Sequence, residues 1–183
     1  MDLRIIKTRL QIKEAFLRLR ARLMPEKIKV KDICEEAQIN KTTFYKHYTD
    51  SMELSNEIDD SVIDSLVLEF SQRDKLFENP NDYIKGLLAT LEAKSELLKK
   101  VFRGKYGVMC SKLEEKLRSF YSDRAKNDEE KIKLSFTIGG FVRVVNDYLF
   151  NDKAQDIEKL TEYTVKIIES IVLPNGSAAN ANA

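Results

Sequence analysis

The sequence predicts an all-α protein, and three observations carry that reading. Apolar residues recur at i, i+3, i+4 and i+7 in segment after segment, the spacing of helices that each bury one stripe. No β-hairpin signal and no alternating run of useful length occurs in the 183 residues. Only 6 Gly and 3 Pro interrupt the chain, too few for a fold made of many short turns. With 43% hydrophobic residues the chain can build a core without staples. Cys34 and Cys110 lie far apart, lack metal-ligand or redox spacing, and read as reduced core residues.

Taken in order, a first helix is expected from about Leu3 to Leu23, with Ile5, Leu10 or Ile12, Phe16, Leu17, Leu19 and Leu23 as its apolar stripe and seven Lys and Arg residues around it. Pro25 closes it. From Val30 to Tyr48 the chain reads VKDICEEAQINKTTFYKHY. Val30, Ile33, Cys34 and Ala37 give a short helix one apolar face. Gln38, Ile39 and Asn40 break it, and Asn40 is a good N-cap for a second short helix starting at Lys41. Phe44 and Tyr48 give that helix a buried face. Lys41, Thr42, Thr43, Tyr45, Lys46 and His47 remain outward, an array of hydrogen-bond donors. Two short helices joined by a tight turn fit a helix-turn-helix whose second helix enters a major groove. Helices this short are marginal alone and need the first helix to pack on.

Leu54, Ile58, Val62, Leu66 and Phe70 recur every four residues and predict a helix of about twenty residues from Ser51, with Glu53, Glu57, Asp59, Asp60 and Asp64 on its outer face. Asn79-Pro80-Asn81-Asp82 starts a helix that Tyr83, Ile84, Leu87, Leu88, Leu91, Leu98 and Phe102 continue. Gly104 to Gly107 interrupts it, and Val108, Met109, Leu113, Leu117, Phe120 and Tyr121 mark the next. The last two helices are expected at Glu130 to Leu149 and Ala154 to Val172. Gly139-Gly140 inside the first of them costs about 1 kcal/mol per Gly, which points to close approach of another backbone. The tail from Pro174 lacks core-forming residues and is expected to be flexible.

Charge is distributed unevenly. Residues 1–50 hold 12 Lys+Arg against 7 Asp+Glu, a balance of +5, and residues 51–183 hold 19 against 23, a balance of −4. The basic half is the half with the outward donors, and neutralising phosphates supplies most sequence-independent DNA affinity. Lys7 and Arg9 are further candidates for phosphate contact. A single His, no phosphate-binding glycine loop and no paired metal ligands argue against an enzyme, a metal site or a bound cofactor. No run approaches the roughly 20 apolar residues of a membrane span, and MDLRIIKTRLQ lacks secretory organisation, so a cytoplasmic location is expected.

The pattern Val30, Asp32, Ile33, Ala37, Ile39, Lys41, Thr43, Phe44, Tyr45, His47 and Tyr48, followed by Glu53 and Leu54, resembles the TetR family of transcriptional regulators over roughly residues 5 to 58. This chain has Gln38 and Thr42 where the family usually has Gly, and Ser51 where it usually has a phosphate-contacting Lys. The resemblance implies about nine helices: a DNA-binding domain at 1–50, a regulatory and dimerisation domain at 51–173, and a tail at 174–183. It further implies a homodimer through residues about 130–172 on a palindromic double-stranded operator. Tyr45 and His47 then meet the DNA backbone, Lys41, Thr42 and Thr43 meet base edges, and Lys46 meets phosphate. The function implied is a regulator, a repressor, modulated by a small-molecule effector near residues 80 to 150. Tyr83, Phe102, Tyr106, Phe120, Tyr121, Phe136, Arg143 and Tyr148 are candidate pocket residues. The alternative is a TetR-fold adaptor or co-activator acting mainly through protein contacts.

Overall fold

The computed structural model describes residues 3–69, 75–150 and 156–172. Among them there are ten α-helices and no strand, one helix more than expected. They are α1 (Leu3–Arg20), α2 (Val30–Glu36), α3 (Lys41–Tyr45), α4 (Ser51–Glu69), α5 (Lys75–Glu78), α6 (Pro80–Ala93), α7 (Ser95–Val101), α8 (Tyr106–Tyr121), α9 (Asp128–Phe150) and α10 (Ile157–Val172). Phe70, Ala154 and the tail from Pro174 lie outside the described residues. No described helix is long and apolar enough to cross a membrane.

The chain divides into two compact units. One is Met1–Val62 together with Glu96–Lys105; the other is Ile63–Ser95 together with Tyr106–Ala183. In the first, Ile12, Ala15, Phe16 and Leu19 of α1 are buried with Ile33, Cys34, Phe44, Tyr48, Leu54 and Ile58. Burying these apolar side chains at roughly 1.5–3 kcal/mol each is what makes α2 and α3, too short to persist alone, into fixed elements. α1 stops at Arg20, not Leu23, because residues after it turn toward Pro25 and a single 3₁₀ turn, Pro25–Lys27.

In the second unit α8 packs on α9 and α6 on α10. Asn79 caps α6 by accepting from the Asp82 amide at 3.2 Å. Two expectations fail, one in each unit. The helix begun at Pro80 does not run through to Phe102: it ends at Ala93, and α7 starts afresh at Ser95. Lys94 sits at that joint, paired with Glu69 at 2.7 Å. Asp59, assigned by its spacing to the solvent face of α4, is 1% exposed and ion-paired with Lys105. A partner 46 residues away pays its desolvation cost, and no period in α4 itself reveals that.

Candidate nucleic-acid interface

The turn between α2 and α3 is built by its backbone. Gln38 has φ 54°, a left-handed conformation. The Ile39 amide donates to the Cys34 carbonyl at 3.0 Å and the Gln38 amide to Glu35 at 3.2 Å, the paired bonds of a Schellman ending. Gln11 of α1 donates to the Ala37 carbonyl at 2.7 Å, fixing the corner to the scaffold helix. A left-handed residue with a side chain costs about 1–2 kcal/mol, and glycine removes that cost. Gln38→Gly will therefore raise stability by about 1 kcal/mol, about 2–4 °C in Tm for a chain of this size. Thermal unfolding checks it, and a lower Tm refutes it.

α3 starts where expected. The Asn40 side chain accepts from the Thr43 amide at 2.7 Å. Phe44 and Tyr48 are buried, while Lys41, Thr42, Tyr45 and Lys46 are exposed and Thr43 and His47 half-buried. Lys41, Thr42, Thr43 and Tyr45 stand on α3; the helix ends sooner than the spacing suggested, so Lys46 is its C-cap and His47 lies in the turn that follows. Tyr45, 56% exposed, leans edge-on against Phe44 at 5.6 Å, so its ring is supported while its hydroxyl is free to donate to a phosphate oxygen.

The end of this element is tied to α1 and α4. Asp50 caps α4, accepting from the amides of Met52 and Glu53 at 2.8 Å each. Glu53 turns back and accepts from the Thr49 amide at 2.6 Å and its hydroxyl at 2.7 Å. Arg9 does not reach outward as the sequence suggested. It bonds Glu57 at 2.6 Å and lies 5.2 Å from the Tyr48 ring centre. Lys7 is exposed. Lys13 takes the other Glu57 oxygen at 2.7 Å. Burial pushes the Tyr48 phenol up to about 12, with the Glu57 charge adding to it, so it stays neutral.

Burial works to raise the Glu57 carboxyl, but its bonds from Lys13 and Arg9 outweigh it and hold the group below the ordinary carboxylate range. A depressed folded pKa stabilises above the unfolded value, about 4.3, and that stability is lost as pH falls through the folded one. The fold will weaken below about pH 4 in part through Glu57. Glu57→Gln will be less stable at neutral pH and show a flatter acid limb, measurable by urea midpoints across pH.

No protein-family model matches the sequence, and no curated protein matches it. Among solved structures it is similar to a TetR transcriptional regulator from Streptococcus agalactiae 2603V, with a TM-score of 0.68 and 21% identity over 90% of this chain and 95% of that one. The fold is that of the TetR regulators. A Mesorhizobium loti MAFF303099 protein described as a candidate TetR-family transcriptional regulator aligns at TM-score 0.61 and 16% identity, over 93% of this chain and 98% of its own. The dihydroxyacetone kinase operon activator DhaS aligns at 0.57 and 18%, over 91% and 97%. The helix-turn-helix described above is the N-terminal part of this TetR fold.

The second unit does not gather the candidate pocket residues. Tyr83 and Tyr121 are buried with their hydroxyls 2.6 Å apart, beside an apolar cavity of ≈ 30 Å³ that Phe141 and Ile168 help to line. That is room for about one water. Tyr106 stacks on Phe150 at 4.0 Å, Tyr148 reaches Glu92, Arg143 pairs with Asp147, and Phe136 is 75% exposed. Phe102 is buried in the first unit. Phe120 packs edge-on against Tyr121 at 5.2 Å. Among the described residues no group of three or more His, Cys, Asp or Glu could hold a metal. Burial pushes both cysteine thiols up, which favours the unreactive protonated form.

Proposed function

We propose that this protein is a homodimeric, cytoplasmic DNA-binding transcriptional regulator, a repressor with no enzymatic activity, whose DNA-binding domain is residues 1–50. The observation that carries the reading is α3 and the turn after it: Lys41, Thr42, Thr43 and Tyr45 on the capped helix, with Lys46 and His47 just beyond, are opposed by Phe44 and Tyr48, which are locked in a core. Lys41, Thr42 and Thr43 at its N-terminal end read base edges; Tyr45, Lys46 and His47 hold phosphates. Support for a dimer through residues about 130–172 comes from Ile132 and Phe136 of α9, 67% and 75% exposed, and Tyr163 and Ile167 of α10, 59% and 60% exposed. Large apolar side chains left in water at this density mark an interface. Gly139 and Gly140 have nothing within 4 Å of where a Cβ would stand, so no backbone of the same chain makes the close approach expected there, and that face is open to a second copy. Two heads then read half-sites about 34 Å apart.

Control rests in residues 51–173. An effector must bind one state of α4 better than another to move it. The ≈ 30 Å³ cavity beside Tyr83 and Tyr121 is far below the roughly 300–1,000 Å³ of a small-molecule site, and a hollow of ≈ 300 Å³ lined by Phe77, Leu134 and Ile171 reaches only the lower end of it; a second reading is that a protein partner supplies the control. An open groove of ≈ 510 Å³ between α6 and α10, lined by Lys85, Ala89, Glu92, Thr161 and Val165 among others, suits such contact. Selection of bound duplexes from a random pool at two salt concentrations tests the regulator reading. Enrichment of a palindrome, with affinity falling steeply with salt, is the expected result; no enriched site at either salt overturns it.

A further inference from the structure

The first unit holds a buried donor that no neighbour uses. Tyr48 is 2% exposed, and its hydroxyl is buried without a hydrogen-bond partner among the described residues. Beside it lies a filled ion pair. Arg9 of α1 bonds one Glu57 oxygen at 2.6 Å and Lys13 bonds the other at 2.7 Å, while the Arg9 guanidinium stands 5.2 Å from the centre of the Tyr48 ring. Glu57 and Arg9 are both near enough to act on the phenol, yet neither bonds it. A buried hydroxyl in this position has given up water and received nothing in return. Core packing accounts for the ring and leaves the oxygen unexplained.

The surrounding charges say what that oxygen serves. From Tyr48 to Gln72 the chain contains no Lys or Arg, and the start of α4 carries Asp50 and Glu53. A DNA backbone that meets Tyr45, Lys46 and His47 finds no cation on the stretch that follows, so one must come from another element. Arg9 is a cation that the fold brings to that place. The Arg9 and Glu57 side chains are 34% and 32% exposed, where water and salt weaken an ion pair. A phosphate instead offers the guanidinium two oxygens in its own fork geometry. Departure of Arg9 alone would leave Glu57 half-satisfied. With the idle hydroxyl beside it, the carboxylate keeps two donors, Lys13 and Tyr48.

We propose that Arg9 leaves Glu57 for a DNA phosphate on binding, and that the Tyr48 hydroxyl takes its place on Glu57. Arg9 is a binding residue held back in the free protein, and Tyr48 is the positioning residue that keeps Glu57 satisfied once Arg9 is out. The donor left unmet in the free head is met in the bound one, so Glu57 loses one bond and gains another. The inference rests on the DNA-binding reading.

The test uses the full chain and a duplex that the wild-type protein enriches from a random pool. Tyr48→Phe keeps the ring and removes only the oxygen. Its Tm will hold or rise, because an unmet buried hydroxyl is gone, while its duplex affinity will fall about tenfold, the worth of one hydrogen bond to a charged group. Arg9→Gln will lower affinity by about tenfold or more and reduce the salt slope by about 1 for each subunit. On the Arg9→Gln background Tyr48→Phe will have no further effect on affinity, since no departure is left to support. Affinity of Tyr48→Phe within about twofold of wild type, less than one such bond is worth, overturns the inference. So does a fall in affinity matched by a fall in Tm, which marks a merely structural hydroxyl, and so do effects of the two substitutions that simply multiply. An unchanged salt slope in Arg9→Gln overturns it as well. Should Arg9→Gln not fold, the affinity and Tm of Tyr48→Phe decide alone. A wild-type chain that enriches no duplex fails the DNA-binding reading first, and the inference falls with it.

Discussion

A chain carrying Phe136→Glu and Ile167→Glu will sediment as a monomer at micromolar concentration, and its affinity for a two-half-site duplex will fall by about a hundredfold or more, the usual worth of linking two binding modules. Both side chains are more than half exposed in the single chain, so the substitutions cost its own core little. In the dimer each places a charge in an apolar contact, which is tolerated only if paired. Circular dichroism will stay helical while the sedimentation coefficient drops. A variant that remains dimeric refutes the α9 and α10 interface. One that becomes a monomer and binds the duplex unchanged refutes the need for two heads.

How legible this molecule was in its sequence depends on how local each feature is. The head was legible because its signals lie within a few residues: the apolar spacing of Val30 to Ala37, the Asn40 cap and the Phe44–Tyr48 pair all act over one or two turns. Gln38 stood out only as a departure from the glycine of the family pattern, and its left-handed backbone gives the physical reason that glycine suits the site. The joint at Lys94 was not legible. No Gly or Pro marks it, and both α6 and α7 keep apolar residues in a pattern that reads through. Asp59 was misplaced because burial of a carboxylate is decided by Lys105, far along the chain. The candidate pocket residues could not be told from core residues in the sequence for a related reason: a cavity is what packing leaves over, and aromatic residues fill space as readily as they line it. Arg9 is a candidate for phosphate contact by its position on a basic helix, with a solvated surface role the more expected one; its pairing with Glu57 of α4 is visible only in the fold.

Tyr45→Ala with Lys46→Ala will weaken duplex binding by about 10- to 100-fold and lower the salt slope by about 1, as expected when one cationic phosphate contact is removed. Stability will change little, within about 0.5 kcal/mol, because both side chains point into solvent. Phe44→Ala makes the control that separates the two faces of α3. Phe44 is 0% exposed, and its truncation costs about 3–5 kcal/mol of folding free energy, so DNA binding is lost there with cooperative unfolding of the head. Lys41→Ala isolates the third behaviour: a base-reading side chain, once removed, relaxes the enriched sequence at one position and leaves the others. Three variants, four substitutions within six residues, thus give three distinct signatures in affinity, salt slope and Tm. If Tyr45→Ala with Lys46→Ala lowers affinity and leaves the salt slope as it was, Lys46 does not touch phosphate, and the orientation of α3 proposed here is wrong.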